Sequence, residues 1–328
     1  MNTILRAALV AFVTLFSSTG MAQQDISSRP AVLVTGATSG IGLRITERLA
    51  ADGVFVYAGA RKQADMDRLN RMDNVQAVRL DVTDPDDIAA AVTTIEEAGR
   101  GLYGVVNNAG VANIGPMIEQ PEADVQFLFD VNVFGVFRTT QAFAPMVIDS
   151  KGRIVNISSI SGVLSGTFFG AYSMSKHAIE AYTDSLAAEM RRFDVHVAAV
   201  EPGNYSSDIG RNMLQRMEAR GFDIDSSRFA DDLRRMLQGF EGYEEPGEFN
   251  PEPDDVAEAV QHALFDKAPK DHYMVVPYER QAEITIRKAV EEVVRYNEGQ
   301  KYSYDRDGLI EILDDVLNAD ADAAGGAE

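Results

Sequence analysis

Short apolar runs alternate with stretches of helical periodicity along most of this chain, and this alternation restricts its fold more than any other feature. The apolar runs are nearly continuous, which is typical of parallel strands covered by helices on both faces. Successive strand–helix units with right-handed crossovers build a parallel, doubly wound α/β sheet. We expect strands at 31–35, 54–58, 75–80, 104–107, 153–157, 195–200 and 273–276, and helices at 41–52, 84–98, 122–148, 172–192 and 254–265.

Both ends of the chain depart from this pattern. Residues 1–22 combine a basic residue, a short apolar run and the small residues Gly20 and Ala22, which predicts a secretory signal peptide and a periplasmic or secreted location. The run is shorter than the roughly 20 residues that span a bilayer, so no integral membrane span is expected. An N-terminal anchor on a cytoplasmic or membrane-associated protein is the alternative. Residues 281–319 are expected to form a helical extension, and the acidic tail 320–328 is expected to be disordered.

Composition excludes several kinds of function. Lys and Arg number 30 against 51 Asp and Glu, a formal net charge of -21, whereas nucleic-acid binding needs the opposite excess. No nucleic-acid partner is therefore expected. The chain has no Cys, which excludes disulfides and Cys-based zinc sites. Its four His form no H-x-x-x-H pair and it has no G-x-S-x-G motif, so neither a metal site nor a serine hydrolase is predicted.

The first predicted strand runs directly into a glycine-rich turn and then into a helix. The turn reads G-x-x-x-G-x-G, with Gly36, Gly40 and Gly42 at its glycine positions. The lack of side chains there lets a pyrophosphate approach the N–H groups and positive dipole of the helix N-terminus. It also lets the helix pack closely on the sheet. This order predicts dinucleotide binding, and a turn that only packs the helix is the alternative.

Residues after the second and third strands bear on which dinucleotide is bound. NAD-binding chains usually place an acidic side chain after the second strand, where it binds the ribose 2′-hydroxyl. Here Arg61 and Lys62 offer positive charge to a 2′-phosphate instead. The sequence therefore predicts a preference for NADP over NAD, with a solvated basic turn as the alternative. Asp81, after the third strand, is expected to accept a hydrogen bond from the adenine amino group.

A tyrosine, a lysine and a serine form the candidate catalytic set. Tyr172 and Lys176 are four residues apart in a predicted helix, so their side chains can lie on one face. A phenol with its ordinary pKa of about 10 is a poor base, whereas a nearby ammonium and an oxidised nicotinamide favour the phenolate. Ser159 follows an apolar strand, and its hydroxyl can stabilise charge on a carbonyl oxygen. Ser158 and Ser161 compete with it on residue type.

Several motifs, taken in order, resemble those of the short-chain dehydrogenase/reductase family. They are T-G-x-x-x-G-x-G from Thr35, N-N-A-G from Asn107, Asn132 in N-V-F-G, Ser159, Y-x-x-x-K from Tyr172, and Pro202 with Gly203. The resemblance covers about residues 30–280. It implies a seven-stranded Rossmann sheet and a metal-independent oxidoreductase that interconverts an alcohol and a ketone or aldehyde with NAD(P).

The resemblance also implies roles for individual residues. Tyr172 would be the general acid/base, and Ser159 would polarise the substrate oxygen. Lys176 would bind the nicotinamide ribose and lower the pKa of Tyr172, and Asn132 would hold a water that links Lys176 to solvent. Ser207 stands where the family often has Thr, and it keeps the hydroxyl. The implied cofactor-binding residues are Gly36, Thr38, Ser39, Gly40, Ile41, Gly42, Arg61, Asp81, Val82, Asn108, Ala109, Gly110, Tyr172, Lys176, Pro202, Gly203 and Ser207.

The stretch V-E-P-G-N-Y from Val200 to Tyr205 is similar to the steroid and retinol dehydrogenases of the family. Residues 204–250 would form a substrate lid, whose apolar side chains suggest a pocket for a lipophilic alcohol or ketone. Simple packing of lid and core is the alternative. The resemblance implies a homodimer or homotetramer assembled through helices 122–148 and 172–192. A non-catalytic nucleotide-binding or scaffold protein on the same fold is the second kind of function that the sequence allows.

Overall fold

Seven strands form one parallel sheet in the order β3-β2-β1-β4-β5-β6-β7. This arrangement is seen in a computed structural model, which describes residues 31–238 and 250–325. It confirms the predicted doubly wound Rossmann sheet. The strands are β1 Ala31–Val34, β2 Phe55–Ala60, β3 Val75–Arg79, β4 Gly104–Asn107, β5 Arg153–Ile157, β6 His196–Pro202 and β7 His272–Val275.

Helices cover both faces of this sheet. Val32 and Val34 of β1 belong to an apolar core with the first and ninth helices, whereas Leu33 belongs to a second core on the opposite face. Successive side chains of a strand point to opposite faces, so burial of both faces explains the continuous apolar runs. The helices are α1 Gly40–Ala51, α2 Gln63–Leu69, α3 Pro85–Glu97, α4 Glu122–Phe129, α5 Gly135–Asp149, α6 Gly170–Met190, α7 Ile209–Ala219, α8 Ala230–Gln238, α9 Asp254–Phe265, α10 Glu279–Asn297 and α11 Arg306–Gly325.

The predicted helix 122–148 is not regular throughout. A π-helical segment, Asp130–Phe134, separates α4 from α5. The prediction of one regular helix is wrong here because an average spacing of 3.6 residues does not reveal one widened turn. The widened turn carries Asn132, one of the candidate site residues.

Two further local features are the start of α3 and three short helices. Asp84 caps α3, since its carboxylate accepts hydrogen bonds from the backbone N–H of Asp86 at 2.9 Å and of Asp87 at 3.4 Å. Helix α2 follows the basic turn after β2, and helices α7 and α8 lie within the segment expected to form a lid. None of these three short helices is predicted from the sequence.

The C-terminal part of the described chain is helical. Helices α10 and α11 occupy the expected extension, but α11 continues to Gly325 and so enters the tail expected to be disordered. Disorder of the tail 320–328 stays a prediction. The predicted signal peptide at 1–22, the lid residues 239–249 and the last three residues lie outside the described residues. Across 31–238 and 250–325, no helix has both the length and the apolar content needed to cross a membrane.

A chain of buried amides and hydroxyls crosses the centre of the sheet. The Asn107 Nδ2 donates to Thr140 Oγ1 at 2.9 Å and to Asn156 Oδ1 at 2.8 Å, and Asn156 Nδ2 donates to Thr183 Oγ1 at 2.9 Å. These bonds join β4 and β5 to α5 and α6. Buried polar groups must find partners to be tolerated, so this network fixes how α6 lies against the sheet, and α6 carries two candidate catalytic residues.

Candidate active site

The loops after β1 and β4 are tied together at the carboxyl edge of the sheet. Thr35 Oγ1 accepts hydrogen bonds from the backbone N–H of Asn108 and of Ala109, both at 2.9 Å. The Asn108 Nδ2 donates back to the Thr35 carbonyl at 2.9 Å and to the Gly36 carbonyl at 3.1 Å. The chain order reverses between these two strands, and open parallel sheets bind ligands at such a position.

The glycines of the first loop are required by close contacts. Gly36 and Gly40 have φ values of +63° and +51°, in the left-handed region that favours glycine. A Cβ on Gly42 would lie 2.3 Å from both Asn108 Nδ2 and the Gly36 carbonyl oxygen. The loop can therefore keep this tight path above the start of α1 only without side chains at these positions.

A cleft of about 1340 Å³ opens over this loop and fits a dinucleotide. Its walls include the N-terminus of α1, where free N–H groups and the helix dipole favour phosphate, and the basic side chains of Arg61, Lys62 and Arg68. The lining includes six of the predicted cofactor residues: Thr38, Ser39, Gly40, Arg61, Gly110 and Ser207. Ser159 and Tyr172 are not among the residues that line it.

Other predicted cofactor residues lie beneath or beside this cleft. Val82 is buried, and its side chain would lie 2.6 Å from a Cβ on Gly135. Gly203 packs on Gln281 of α10, since a Cβ there would lie 2.1 Å from Gln281 Oε1. Gln281 also accepts a hydrogen bond from the Asn204 backbone N–H at 3.1 Å. This support from α10 was missed because nothing in the sequence near Gln281 marks it as a neighbour of Pro202–Gly203.

The basic turn after β2 is coupled to the end of β3. The Arg61 guanidinium lies 3.6 Å from the Asp81 carboxylate, and its side chain is 65% exposed. Asp81 Oδ1 accepts hydrogen bonds from the Thr83 backbone N–H at 3.0 Å and hydroxyl at 2.7 Å. Burial opposes ionisation of Asp81, but these bonds and Arg61 outweigh it and lower the pKa of its carboxyl. Arg61 is therefore exposed enough to turn towards a phosphate in the cleft.

Ser159 and Tyr172 come together at the ends of β5 and α6. The Ser159 hydroxyl lies close enough to the Tyr172 phenol to lower its pKa, and it accepts the Ser161 backbone N–H at 3.1 Å. The Ser158 hydroxyl lies beside Glu180 instead. Of the three candidate serines, Ser159 is therefore the one whose hydroxyl contacts the phenol.

Lys176 lies one helical turn beyond Tyr172. Its Nζ donates to the Ile157 carbonyl at 2.9 Å and lies 5.7 Å from the centre of the Tyr172 ring. Burial lowers the pKa of Lys176 to about 8, and the charge of Glu180 opposes that shift. Burial raises the pKa of Tyr172, and the contact with Ser159 partly offsets the rise. In the protein alone Tyr172 is therefore a neutral phenol at neutral pH, able to donate a proton.

The Asn132 side chain is hydrogen-bonded to the backbone after β4 and to a side chain of α6. Its Oδ1 accepts the Val111 N–H at 2.8 Å, and its Nδ2 donates to the Val111 carbonyl at 2.9 Å and to Ser175 Oγ at 3.0 Å. Ser175 precedes Lys176 on α6. Asn132 therefore links the π-helical segment, the loop after β4 and helix α6.

Comparison with known proteins identifies the family. The sequence profile described as short chain dehydrogenase matches residues 30–218. The Escherichia coli (strain K12) protein called uncharacterized oxidoreductase YbbO is 34% identical over 249 residues, covering 74% of this chain and 84% of that protein. The chain belongs to the short-chain dehydrogenase/reductase family. It is a nicotinamide-dependent oxidoreductase that acts on CH–OH groups.

Two named dehydrogenases are also similar. Mouse mitochondrial D-beta-hydroxybutyrate dehydrogenase is 29% identical over 277 residues, covering 78% of this chain and 79% of that protein. Human retinol dehydrogenase 16 is 38% identical over 183 residues, covering 54% of this chain and 57% of that protein.

Solved structures show the same fold. A short-chain dehydrogenase from Streptomyces avermitilis has a TM-score of 0.67 at 28% identity, covering 82% of this chain and 94% of that one. A metagenomic short-chain oxidoreductase in complex with NADP has a TM-score of 0.58 at 26% identity, covering 77% of this chain and 100% of that one.

The contacts of the glycine loop give a testable prediction. In Gly42→Ala the new methyl must displace Asn108 or the Gly36 carbonyl, so we expect a loss of about 1–3 kcal/mol in the free energy of unfolding and weaker dinucleotide binding. Urea unfolding measures the stability, and isothermal titration calorimetry with NADPH measures the dinucleotide affinity. Gly210→Ala in α7 is the matched control, because a Cβ there meets nothing within 4 Å. Equal stability and affinity in both variants would contradict the close contact.

Proposed function

We propose that this protein interconverts a lipophilic alcohol and its ketone or aldehyde, with NADP(H) as the preferred coenzyme and Tyr172 as general acid/base. The observation that carries the proposal is the proximity of Tyr172 and Ser159, one helical turn from a buried Lys176, in a chain whose glycine loop opens to a large cleft. The bound nicotinamide would supply or accept the hydride. The loop from Gly36 to Gly42, Arg61 and Lys176 would hold the coenzyme.

In the reducing direction, the substrate carbonyl oxygen accepts hydrogen bonds from Ser159 and Tyr172. As negative charge develops on that oxygen, Ser159 stabilises it and Tyr172 transfers its phenolic proton to it. In the oxidising direction Tyr172 removes the hydroxyl proton. Lys176 favours the phenolate through its charge, and we assign Asn132 to the water that links Lys176 to solvent.

The residues around Tyr172 support a lipophilic substrate. Ala112, Ile114 and Met213 form a buried apolar cluster. Tyr172 and Phe169 pack against this cluster, as do several side chains of α7. A cavity of about 490 Å³ is lined by the same three apolar residues and also by charged ones, including Arg220 and Asp124. An apolar wall beside the phenol fits a substrate whose carbon skeleton is largely apolar, as the name of retinol dehydrogenase 16 also suggests.

Removal of the phenolic hydroxyl tests the catalytic assignment. In Tyr172→Phe we expect turnover of a panel of apolar aldehydes and ketones with NADPH to fall by about 10²–10⁴-fold, with coenzyme binding retained. Tyr182→Phe is the matched control, since Tyr182 lies on the same helix and its phenol contacts Thr140 instead. If the unmodified protein binds NADPH and turns over no member of the panel, the non-catalytic alternative is favoured.

Arg61 gives a separate test of coenzyme preference. Loss of a charge-assisted bond to the 2′-phosphate in Arg61→Ala should raise KM for NADPH by about 10- to 100-fold, with little change in KM for NADH. Arg71→Ala, which removes an exposed arginine outside the cleft lining, should leave both values unchanged. An NADH preference that survives in Arg61→Ala would refute the assignment.

We also propose a homodimer or homotetramer assembled through α5 and α6. Phe134 before α5, Phe137 on α5 and Met174 on α6 are exposed by 52%, 47% and 48%. Large apolar side chains grouped on neighbouring helices are typical of protein interfaces. Light scattering of the purified protein should give the mass of two or four chains, and Phe137→Glu should shift it towards one. A single-chain mass for the unmodified protein would contradict this assembly.

A further inference from the structure

A cluster of ionisable groups lies beyond Lys176, where α6, β6 and β7 meet. The His272 Nδ1 lies 2.6 Å from Glu201 Oε1 and 3.5 Å from Glu180 Oε2. Its Nε2 lies 2.9 Å from Asp184 Oδ1. The side chains of Glu180 and Glu201 are only 16% and 13% exposed, whereas that of His272 is 43% exposed. The cluster therefore extends from the interior to the surface.

Glu180 stands in a fixed relation to Lys176. The two residues are four positions apart on α6, so they share a helix face. Lys176 Nζ is bonded to the Ile157 carbonyl, and the Glu180 carboxyl lies beside Ser158 and against Gly162. Both side chains thus lie against neighbouring residues, Ile157 and Ser158, at the end of β5.

The ammonium of Lys176 has little other compensation for its burial. Lys176 is 7% exposed, and in the described part of the chain no carboxylate lies within 4.0 Å of its Nζ. Glu180 is the carboxylate whose charge acts on it. Charges act over several ångströms in a poorly solvated site, so the ionisation of Glu180 bears directly on that of Lys176.

Several groups control the charge of Glu180. Ser158 after β5, Glu201 of β6 and His272 of β7 act on its carboxyl. Asp184 of α6 contacts His272, and the Glu180 charge acts on Lys176 of the same helix. Burial and the nearby Glu201 raise the pKa of Glu180 to about 7, while Ser158 and His272 act in the opposite direction. Hydrogen bonding to Glu201 raises the pKa of His272 to about 9, despite its partial burial. Near neutral pH the imidazolium therefore favours an ionised Glu180.

We propose that Glu180 is a positioning residue whose carboxylate, kept ionised by His272, holds Lys176 in its ammonium form during turnover. The inference rests on the proposed function, since Lys176 acts on Tyr172 and the coenzyme. It assigns a role to two residues, Glu180 and His272, that the catalytic motifs do not contain. Neutralising Glu180 should let Lys176 lose its proton at lower pH, so activity should fall earlier as pH rises.

The first test is the pH dependence of kcat/KM. In Glu180→Gln we expect the midpoint of the alkaline limb to move down by at least about half a pH unit. Glu189→Gln is the matched control, because Glu189 is exposed near the end of the same helix, and its profile should match that of the unmodified protein. Glu180→Asp keeps the charge and should restore much of the profile. An alkaline limb that is unchanged in Glu180→Gln overturns the proposal.

The second test needs no turnover. Protein labelled with ¹³C at lysine Cε is titrated by NMR, and the Lys176 resonance is assigned by its loss in Lys176→Arg. The pH midpoint of the Lys176 titration should fall in Glu180→Gln and should remain unchanged in Glu189→Gln. A fall without any measurable activity would support the coupling and refute the proposed function instead. An unchanged midpoint would refute the coupling itself.

His272→Asn covers the case in which Glu180→Gln does not fold. His272 is partly exposed, so its replacement is better tolerated than a change at Glu180. Without the imidazolium, Glu180 more readily takes up a proton, and the Lys176 midpoint should again fall. The same midpoint in His272→Asn and the unmodified protein would contradict the assigned role of His272.

Discussion

The bonds between the loops after β1 and β4 are the constraint on which the rest of the site depends. Thr35 and Asn108 exchange hydrogen bonds across the position where the sheet reverses its strand order. They hold the glycine loop against its neighbour so closely that Gly42 has no room for a side chain. The N-terminus of α1 is thereby directed to one edge of the sheet, and the cleft opens there because the two crossovers leave on opposite faces.

Most of the sheet could be predicted from the sequence because burial on both faces leaves a direct trace. Each strand is a run of apolar residues, and the helices between them carry one apolar stripe. The π-helical turn at Asn132 leaves no such trace, since its neighbours keep the same apolar spacing. Helices α7 and α8, in the segment expected to form a lid, are short and polar, so no long apolar stripe marks them in the sequence.

The residues of the site also divide into those that the sequence could predict and those that it could not. Gly36, Gly42, Ser159, Tyr172 and Lys176 stand in local motifs, so a single sequence suffices to nominate them. Glu180, Glu201 and His272 come from three elements separated by up to 92 positions, and only the sheet order β5-β6-β7 brings them together. Gln281, which packs against Gly203, is likewise brought to its place only by the fold. Contacts of this sort have no signature in residue spacing and require the folded chain.

Helix α6 connects these two groups of residues because its side chains recur every four positions along one face. Tyr172 meets Ser159 and the apolar cluster around Met213, and Lys176 meets the end of β5. Glu180 meets β6, and Asp184 meets His272 near the surface. Burial penalises charge most at the inner positions, which is why Tyr172 stays neutral and Lys176 holds its proton less firmly than a free lysine. The partly exposed imidazolium at the outer end can ionise at little cost. The charge states of Tyr172 and Lys176 therefore depend on a series of side chains that runs through Glu180 to the partly exposed His272.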